Sequence, residues 1–546
     1  MHYWNLYFLL KAALFYRGYI GFHWALNLAL GVVLAWPLPP GRWRRLRNLL
    51  APPVAVALLY HDSYLPPPAR VLSQAKALLG FSADYWLELG QRLFSPALAL
   101  ALVAIVLGYA VLARRIRFAT LSLASILSVP LVAALHGDPA DGVAGSPGST
   151  SGAEATAPAQ SSTPDALLQA FYAEQKQLRL QLQTQTQTQT QIQTQTQETG
   201  DTPPFDIIVL HVCSLAWDDM EFVGMREHPL LARFDVVFSN FNSAASYSGP
   251  AALRVLHGTC GQQRHRQIYE SEDPSCYVFP NLEKLGYQTG ALLNHDGLYE
   301  DFGASLETKG GLEGKLLPNQ GAPVHMQNFD GSPIYNDYAL LSQWWQQRSA
   351  QGGPPVALYY NTISLHDGNR VPGMASRSSL DTYKPRLAQL LQDFDHFITD
   401  LEKAQRPVVL VLVPEHGASL RGDKMQISGM REIPSPRITL VPTAVKLIGL
   451  PRPAGAAAEA ATADSAPQAP LVVDRAMSYF GLFTLLGDWL ADSPYAAQPL
   501  QSLAERVEKL PGTRFVSENA DVVVLRNDAN QYRLKSGNDP WIAYTP

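Results

Sequence analysis

The sequence predicts a mixed protein in which an N-terminal helical transmembrane bundle precedes an α/β domain with a central, mostly parallel sheet. Three composition zones support this division: residues 1–136 are strongly apolar, residues 137–204 are of low complexity, and residues 205–546 alternate short apolar runs with amphipathic stretches. Such alternation is typical of strand–helix–strand units, and 546 residues exceed the usual length of one domain. The net charge of −5 is mild and does not indicate a nucleic-acid-binding protein.

Apolar segments fill the first zone. They are Trp4–Tyr16, Phe22–Leu38, Leu49–Tyr60, Ser95–Leu112 and Phe118–Leu135. The last two are long enough to cross a bilayer unaided, whereas the first three are shorter or interrupted, so we expect about five spans. A cleaved signal peptide is the alternative for the start of the chain. However, no small-residue cleavage site follows Leu34, and later apolar segments remain.

Two basic clusters predict the orientation of these spans. Gly41–Asn48 lies between the second and third segments, and Ala113–Arg117 lies between the fourth and fifth. The positive-inside rule places both clusters in the cytoplasm. Five spans then place the N-terminus inside and everything after Gly137 outside.

Residues 137–204 have the composition of a flexible linker. The stretch opens with Gly, Pro, Ser, Thr and Ala and ends in a Gln/Thr run, so it cannot bury enough apolar surface to fold alone. Within it, Asp165–Leu182 has the pattern of a helix, which we expect at the membrane surface. The linker would hold the next domain above the bilayer.

The three cysteines add a clue about the compartment. In an oxidising compartment, Cys260 and Cys276 are close enough in sequence to close a modest loop. Cys213 would then be a lone thiol, which a bound metal ion would protect.

The third zone, 205–546, predicts a sheet of strands that alternate with helices. The expected strands are Asp206–Cys213, Gln288–Asn294, Val356–Ser364 and Val408–Pro414. The expected helices are Phe279–Gly286, Asn336–Arg348, Leu380–Ala404 and Arg475–Ala491. Leu450–Pro470 is rich in Ala and Pro and predicts a loop insertion, and Arg514–Ser536 predicts a hairpin on the edge of the sheet.

Polar residues follow three of these strands. Cys213 ends the first strand, His366 follows the strand that begins at Val356, and Glu415 and His416 follow the strand that begins at Val408. Sites in open α/β sheets form at the carboxyl ends of strands. Each residue also has a structural alternative: a small buried cysteine, a loop histidine bonded to the backbone, and a solvated turn. Their joint placement favours a metal site.

Ser248 is followed by Gly249, by Pro250 and then by an apolar run, a pattern that predicts a helix with proline in its first turn. Ser248 would occupy the N-cap of this helix, where backbone N–H groups and the helix dipole stabilise a phosphate or an alkoxide. The alternative is that Ser248 simply caps the helix, since serine is a favoured cap.

These residue types predict a particular chemistry. A thiolate, a carboxylate and an imidazole form a good zinc site whose fourth position is open to a substrate or to a serine oxygen. Metal coordination activates serine as a nucleophile, and the metal offsets charge on phosphorus or sulfur esters. Arg431, in the basic loop after His416, is placed to bind an anionic group.

The motifs HVCSLAWDDM, NSAASYSGPAALRVLHG, NTISLHDGNR and VPEHGASLRGDKMQISGMREIPSP resemble a known family. A metal ligand ending a strand, a nucleophile opening a helix and a late carboxylate-His pair resemble the alkaline phosphatase/sulfatase superfamily. Together with about five spans, they resemble its phosphoethanolamine transferase branch. Lipid A-modifying members carry Glu, Thr and Asp-His where this chain has Cys213, Ser248 and Glu415-His416. Those departures resemble the cellulose phosphoethanolamine transferases of the bacterial cellulose synthase system, and the similarity covers nearly the whole chain.

This resemblance implies an inner-membrane enzyme with a periplasmic, alkaline-phosphatase-like catalytic domain. Ser248 would take phosphoethanolamine from phosphatidylethanolamine, release diacylglycerol, and pass the group to a glucose 6-hydroxyl of nascent cellulose. One Zn²⁺ is expected, and the implied partners include the cellulose synthase complex. The expected metal ligands are Cys213, Ser248, Glu415 and His416.

The resemblance also implies further roles. Tyr247 would position the phosphate, His366 would act as a general acid/base or phosphate ligand, and Arg431 would clamp the phosphate; for Tyr247 the alternative is a packed aromatic ring. A structural disulfide joins Cys260 and Cys276 in this interpretation.

Three other functions stay open from the sequence. The same chemistry can serve another acceptor, such as lipid A or a periplasmic glucan. A phosphatase or sulfatase would use water as the acceptor, but Ser248 lacks the sequence context of sulfatases, since Gly-Pro-Ala-Ala follows it. A non-catalytic scaffold of a polysaccharide synthase would need no complete ligand set, whereas this chain retains one.

Overall fold

The structure, a computed structural model, describes residues 4–63, 80–93, 96–113, 115–135, 163–183, 204–270, 273–374, 378–450, 469–496, 499–537 and 539–546. The Gln/Thr run and most of the predicted insertion Leu450–Pro470 lie outside these residues. The chain divides into two compact units: Met1–Lys76, Ala83–Gln160 and Asp423–Ile427 form the first, and the rest forms the second.

The described helices of both units are α1 (Trp4–Tyr16), α2 (Trp24–Ala35), α3 (Arg42–Asp62), α4 (Ala83–Leu93), α5 (Pro96–Leu112), α6 (Phe118–Leu135), α7 (Pro164–Gln175), α8 (Trp217–Phe222), α9 (Ser248–Leu256), α10 (Val278–Lys284), α11 (Phe302–Thr308), α12 (Asp337–Ala350), α13 (Tyr383–Ala404), α14 (Pro436–Thr439), α15 (Tyr479–Ala491) and α16 (Leu503–Lys509).

The described strands all belong to the second unit. They are β1 (Asp206–Val212), β2 (Val236–Asn242), β3 (Gln288–Leu293), β4 (Val324–Gln327), β5 (Pro333–Tyr335), β6 (Val356–Thr362), β7 (Val408–Leu412), β8 (Leu440–Ile448), β9 (Leu471–Val473), β10 (Val516–Glu518), β11 (Val522–Arg526), β12 (Tyr532–Ser536) and β13 (Ile542–Tyr544).

The first unit is helical, with a small apolar core contributed by α1, α2, α3 and α6. One ion pair is buried in it: Lys11 Nζ lies 2.8 Å from Asp62 Oδ2. Asn27 accepts a hydrogen bond from Lys11 and donates one to Asp62, so three helices share one satisfied polar cluster. Among the described residues, no helix combines the length and the apolarity needed to cross a membrane.

A seven-stranded sheet forms the centre of the second unit, in the order β3-β6-β1-β7-β8-β2-β9. β8 alone among them runs antiparallel to both of its neighbours. β1 is buried along its whole length, as expected of a central strand covered on both faces. Its alternate residues face two cores: Ile207 and Val209 face one, and Ile208 and Leu210 face the other.

The predicted strands and helices of this sheet are largely confirmed. Those beginning at Asp206, Gln288, Val356 and Val408 end one or two residues earlier than predicted, and the four helices are present with shifted bounds. The prediction for Arg514–Ser536 is wrong in one respect, because these residues form a separate antiparallel sheet, β10-β11-β12-β13, rather than an edge of the main sheet. Alternating apolar residues specify a strand but not its partner.

The separate sheet is tied to the loop that follows β2. The side chain of Asn242 donates to the carbonyl of Val516 at 3.0 Å, and the N–H of Glu518 donates to the carbonyl of Ala244 at 3.1 Å. These bonds brace the loop that leads to Ser248.

Part of the predicted linker belongs to the second unit. Leu168, Phe171 and Tyr172 of α7 share an apolar cluster with strands β10 and β11. Beyond the helix, the N–H of Leu180 donates to the carbonyl of Thr259 at 2.8 Å. The helix expected at the membrane surface therefore contributes to the fold of the second unit.

Candidate metal centre and nucleophile

Three strands of the main sheet bring the predicted ligands together. Cys213 directly follows β1, Glu415 and His416 lie in the loop after β7, and Ser248 opens α9 after β2. β1 and β7 are adjacent parallel strands, so their carboxyl ends meet at one edge of the sheet. One ligand atom each from Cys213, Glu415 and His416 lies within 4.8 Å of the others, and all three residues are buried.

Ser248 lies beside this group. Its Oγ is 3.4 Å from the Sγ of Cys213 and 3.4 Å from the Nε2 of His416. The helix begins at Ser248 itself, with Tyr247 at the cap position, so the predicted N-cap placement of Ser248 is off by one residue. Its hydroxyl faces the ligand group, which disfavours the simple capping role.

The ring orientation of His416 suits a metal ligand. Its Nδ1 lies 2.9 Å from the carbonyl oxygen of Gly417, and a carbonyl can only accept, so Nδ1 carries the proton. Nε2 is then an unprotonated acceptor, 3.9 Å from the Sγ of Cys213. A backbone carbonyl that fixes the tautomer in this way is the usual support of a metal-binding imidazole.

The two oxygens of Glu415 have different surroundings. Oε1 accepts from the Nδ2 of Asn361 at 2.5 Å, whereas Oε2 is buried with no hydrogen-bond partner among the described residues. A buried carboxylate oxygen without a partner is costly, and a cation would remove that cost. The donor set and this oxygen both fit a zinc ion.

The surroundings favour neutral forms of all three groups. Burial, and then the charge of Glu415, raises the pKa of the Cys213 thiol to about 12. Burial also raises the pKa of Glu415, and burial followed by the charge of Arg431 lowers the pKa of His416. A thiolate and a carboxylate at this distance in a dry site require a compensating cation.

The structure places Arg431 and His366 near the ligand group. An Arg431 guanidinium nitrogen lies 3.4 Å from the His416 ring. Burial, and then the charge of Arg431, lowers the pKa of His366 to about 4. The Nδ1 of His366 lies 2.7 Å from the carbonyl of Asp367, so it carries the proton and leaves Nε2 as an acceptor.

Tyr247 is partly exposed, and its hydroxyl donates to the carboxylate of Glu432 at 2.5 Å. The Arg431 guanidinium lies 5.7 Å from the centre of its ring. The predicted positioning hydroxyl is thus part of a polar contact between the nucleophile loop and the loop that carries Arg431.

Sequence reasoning missed three residues that support the site. Asn361 orients Glu415. Asn361 is a polar residue inside the otherwise apolar strand β6, and this pattern could have indicated its role from the sequence. His211 lies in β1 with Nδ1 3.6 Å from the Glu415 carboxylate, and burial lowers its pKa to about 3. Asn519 bonds to the loop of Arg431 from the separate sheet, and nothing in the sequence pattern indicated that contact.

The remaining cysteines form a disulfide in the structure. The sulfur atoms of Cys260 and Cys276 are bonded, and their Cα atoms are 5.0 Å apart. Cys213 is the free, buried cysteine. The disulfide closes the loop that follows α9.

The fold and the site define an α/β protein with a candidate metal centre beside a helix-start serine. Two family descriptions match the chain: "Cellulose biosynthesis protein BcsG N-terminal domain" over residues 4–131, and "Cellulose biosynthesis protein BcsG C-terminal domain" over residues 149–541. The protein belongs to this cellulose biosynthesis protein BcsG family.

Two curated relatives align with this chain over nearly its full length. The cellulose biosynthesis protein BcsG of Escherichia coli strain K12 is 34% identical over 563 aligned residues, which cover 99% of this chain and 96% of that protein. The BcsG of Salmonella typhimurium strain LT2 matches with the same identity and coverage. A solved alkaline phosphatase superfamily protein from Vibrio parahaemolyticus is 13% identical with a TM-score of 0.44, covering 63% of this chain and 80% of that one.

Proposed function

We propose that the protein transfers phosphoethanolamine from phosphatidylethanolamine to glucose 6-hydroxyls of nascent cellulose. Ser248 carries the group between the two substrates as a phosphoethanolamine–serine ester. The protein acts as a multi-pass protein of the bacterial inner membrane, with its catalytic domain in the periplasm beside the cellulose synthase complex. The family name and the sequence motifs support cellulose as the acceptor.

One observation carries this proposal: the Oγ of Ser248 lies 3.4 Å from both the Sγ of Cys213 and the Nε2 of His416. A serine at a helix start, facing a buried set of metal-type ligands, is the arrangement that ester transfer through a covalent intermediate requires. A scaffold protein has no need of this convergence.

Cys213, Glu415 and His416 would hold a zinc ion, with the hydroxyl of Ser248 at its open side. When bound, zinc supplies a positive charge that lowers the pKa of a nearby hydroxyl and offsets charge on phosphate oxygens. Asn361 donates a hydrogen bond to one oxygen of Glu415, which leaves the other oxygen to bind the ion.

The protein's own residues account for two displacement steps. In the first, the Oγ of Ser248 bonds to phosphorus and gives up its proton, while the bond from phosphorus to the diacylglycerol oxygen breaks and that oxygen takes up a proton to leave as the diacylglycerol hydroxyl. In the second, the glucose 6-oxygen bonds to phosphorus and passes its proton to His366, while the bond from phosphorus to the serine oxygen breaks and the serine oxygen takes up a proton. Arg431 binds the phosphate oxygens, and the Tyr247 hydroxyl positions them once its proton turns from Glu432 to the phosphate.

His366 accepts the proton that the glucose hydroxyl releases in the second step. Its Nδ1–H is held by the carbonyl of Asp367, so its Nε2 accepts the proton of the glucose hydroxyl. With a pKa of about 4, the ring is neutral at neutral pH and is available as a base.

The test is intact-mass spectrometry of the full-length, zinc-loaded protein after incubation with phosphatidylethanolamine. We expect a mass gain of one phosphoethanolamine group, absent in Ser248→Ala and retained in the control Ser305→Ala in α11. Lipid turnover without an adduct would contradict the covalent step. Adding cellulose oligosaccharides or lipid A to the adduct then identifies the acceptor, and release by lipid A alone would refute cellulose.

A further inference from the structure

The proposed donor has a head group with two charges, a phosphate anion and an ammonium cation. Arg431 would bind the phosphate, whereas the ammonium needs a negatively charged partner. Resting on the proposed function, we propose that Glu432 binds the ammonium group of phosphoethanolamine and thereby selects the donor lipid.

Glu432 lies beside both residues that are proposed to contact the phosphate, Tyr247 and Arg431. Its Oε1 is 2.5 Å from the hydroxyl of Tyr247, and Tyr247 directly precedes the nucleophile Ser248. Glu432 also directly follows Arg431 in the sequence, so the Arg431 guanidinium and the Glu432 carboxylate belong to residues whose Cα atoms are about 3.8 Å apart. An adjacent positive and negative side chain beside the nucleophile matches a ligand whose phosphate and ammonium are separated by two carbons.

The backbone of this pair is firmly held. The side chain of Asn519 donates to the carbonyl of Arg431 at 3.2 Å and to that of Glu432 at 2.9 Å. The hydroxyl of Ser246 donates to the same Arg431 carbonyl. Both charged side chains therefore project from a fixed backbone, which is what recognition of a small zwitterion requires.

Three other carboxylates around the site are differently employed. Glu415 belongs to the candidate metal ligands, Asp219 is buried and accepts from the N–H groups of Ala418 and Leu420, and Asp367 is buried and accepts from Ser379. Glu432 is partly exposed, so a ligand ammonium can reach it. A carboxylate beside a tyrosine ring attracts an organic cation by charge and by cation–π interaction.

A matched pair of chromogenic phosphodiesters tests the assignment on the full-length, zinc-loaded protein. One probe is 4-nitrophenyl phosphoethanolamine, and the other is ethyl 4-nitrophenyl phosphate, which lacks the ammonium. The quantity measured is the ratio of kcat/KM between the two probes. Glu432→Gln removes the charge but keeps an oxygen that can accept from Tyr247, and we expect the ratio to fall by about tenfold.

Two further variants sharpen this test. Glu432→Asp keeps the charge and retains most of the preference for the ammonium probe, whereas Glu313→Gln, at an exposed position in the second unit, keeps the wild-type ratio. An unchanged ratio in Glu432→Gln would overturn the assignment, even if both rates fell, because Glu432 would then only orient Tyr247. Failure of the wild type to cleave either probe would instead count against the proposed function.

Discussion

Asn519 offers the most direct test of how the separate sheet supports the site. It is fully buried, and its Nδ2 lies 2.8 Å from the Oγ of Ser246, 2.9 Å from the carbonyl of Glu432 and 3.2 Å from that of Arg431. Asn519→Ala removes this donor. The Arg431 carbonyl keeps the hydroxyl of Ser246, but the Glu432 carbonyl loses the donor on this side.

The size of the effect follows from these bonds. A buried acceptor that loses its partner costs about 1–3 kcal/mol, and the second, shared bond adds a smaller amount, so we expect Asn519→Ala to lower stability by about 2–3 kcal/mol. Asn519→Asp should cost more, since it turns a carboxylate toward two carbonyl oxygens. Arg431 also loses one of the two donors that hold its carbonyl, so its guanidinium is less well positioned and kcat/KM for the transfer should fall by about tenfold.

The assay combines urea unfolding with kcat/KM for phosphatidylethanolamine. The matched control is Asn240→Ala, because the side chain of Asn240 also donates to a carbonyl, that of Asp474, but at the surface. Wild-type kcat/KM in Asn519→Ala would refute the view that the separate sheet positions Arg431. A loss of stability without a loss of activity would limit Asn519 to a structural role.

Four further outcomes are expected. Gly417→Ala places a Cβ 2.5 Å from a carboxylate oxygen and should cost about 1–3 kcal/mol in urea unfolding; an unchanged midpoint would show that the loop yields. Burial raises the pKa of Asp337 from 3.8 to about 6, so the stability that Asp337 contributes to the fold is complete below pH 3.8 and is lost as the pH rises through 6. Asp337→Asn should flatten this pH dependence of the free energy of unfolding, which is on the order of 3 kcal/mol. Zinc loading at neutral pH should release a proton from Cys213, detected as a buffer-dependent calorimetric heat that Cys213→Ser lacks. Gly261→Ala brings a Cβ within 2.2 Å of a backbone carbonyl of α7 and should speed hydrogen exchange in residues 176–183, whereas Gly352→Ala, with nothing within 4 Å, should not.

The sequence predicted the ligand group because its signals are local. A cysteine that ends a buried strand and a carboxylate-His pair after another strand can both be read from a few residues. Parallel strands then bring those ends to one edge without further information. The helix-start pattern at Ser248 is also local, but β2, the strand that leads into that helix, was not among the predicted strands.

The supporting residues could not be predicted because they depend on long-range pairing. Asn519 reaches Arg431 across 88 residues of sequence, and the contact exists only because β10 to β13 form their own sheet. Alternation indicated strands there, but strand alternation is equally satisfied by several pairings. Glu432 was missed for a similar reason, since its meaning comes from Tyr247, 185 residues earlier.

The position of α7 also changes the interpretation of the low-complexity stretch. Its apolar face lies on β10 and β11, and Leu180 is hydrogen-bonded to the carbonyl of Thr259 in the loop after the nucleophile helix. The Gln/Thr run therefore connects two stretches of one unit, 163–183 and the strand that begins at Asp206. A spacer between the two units can draw only on residues before 163. A domain cut at residue 205 would lose both the apolar cover of β10 and the bonds to Thr259 and Gly261, so we propose that the catalytic unit begins at Thr163.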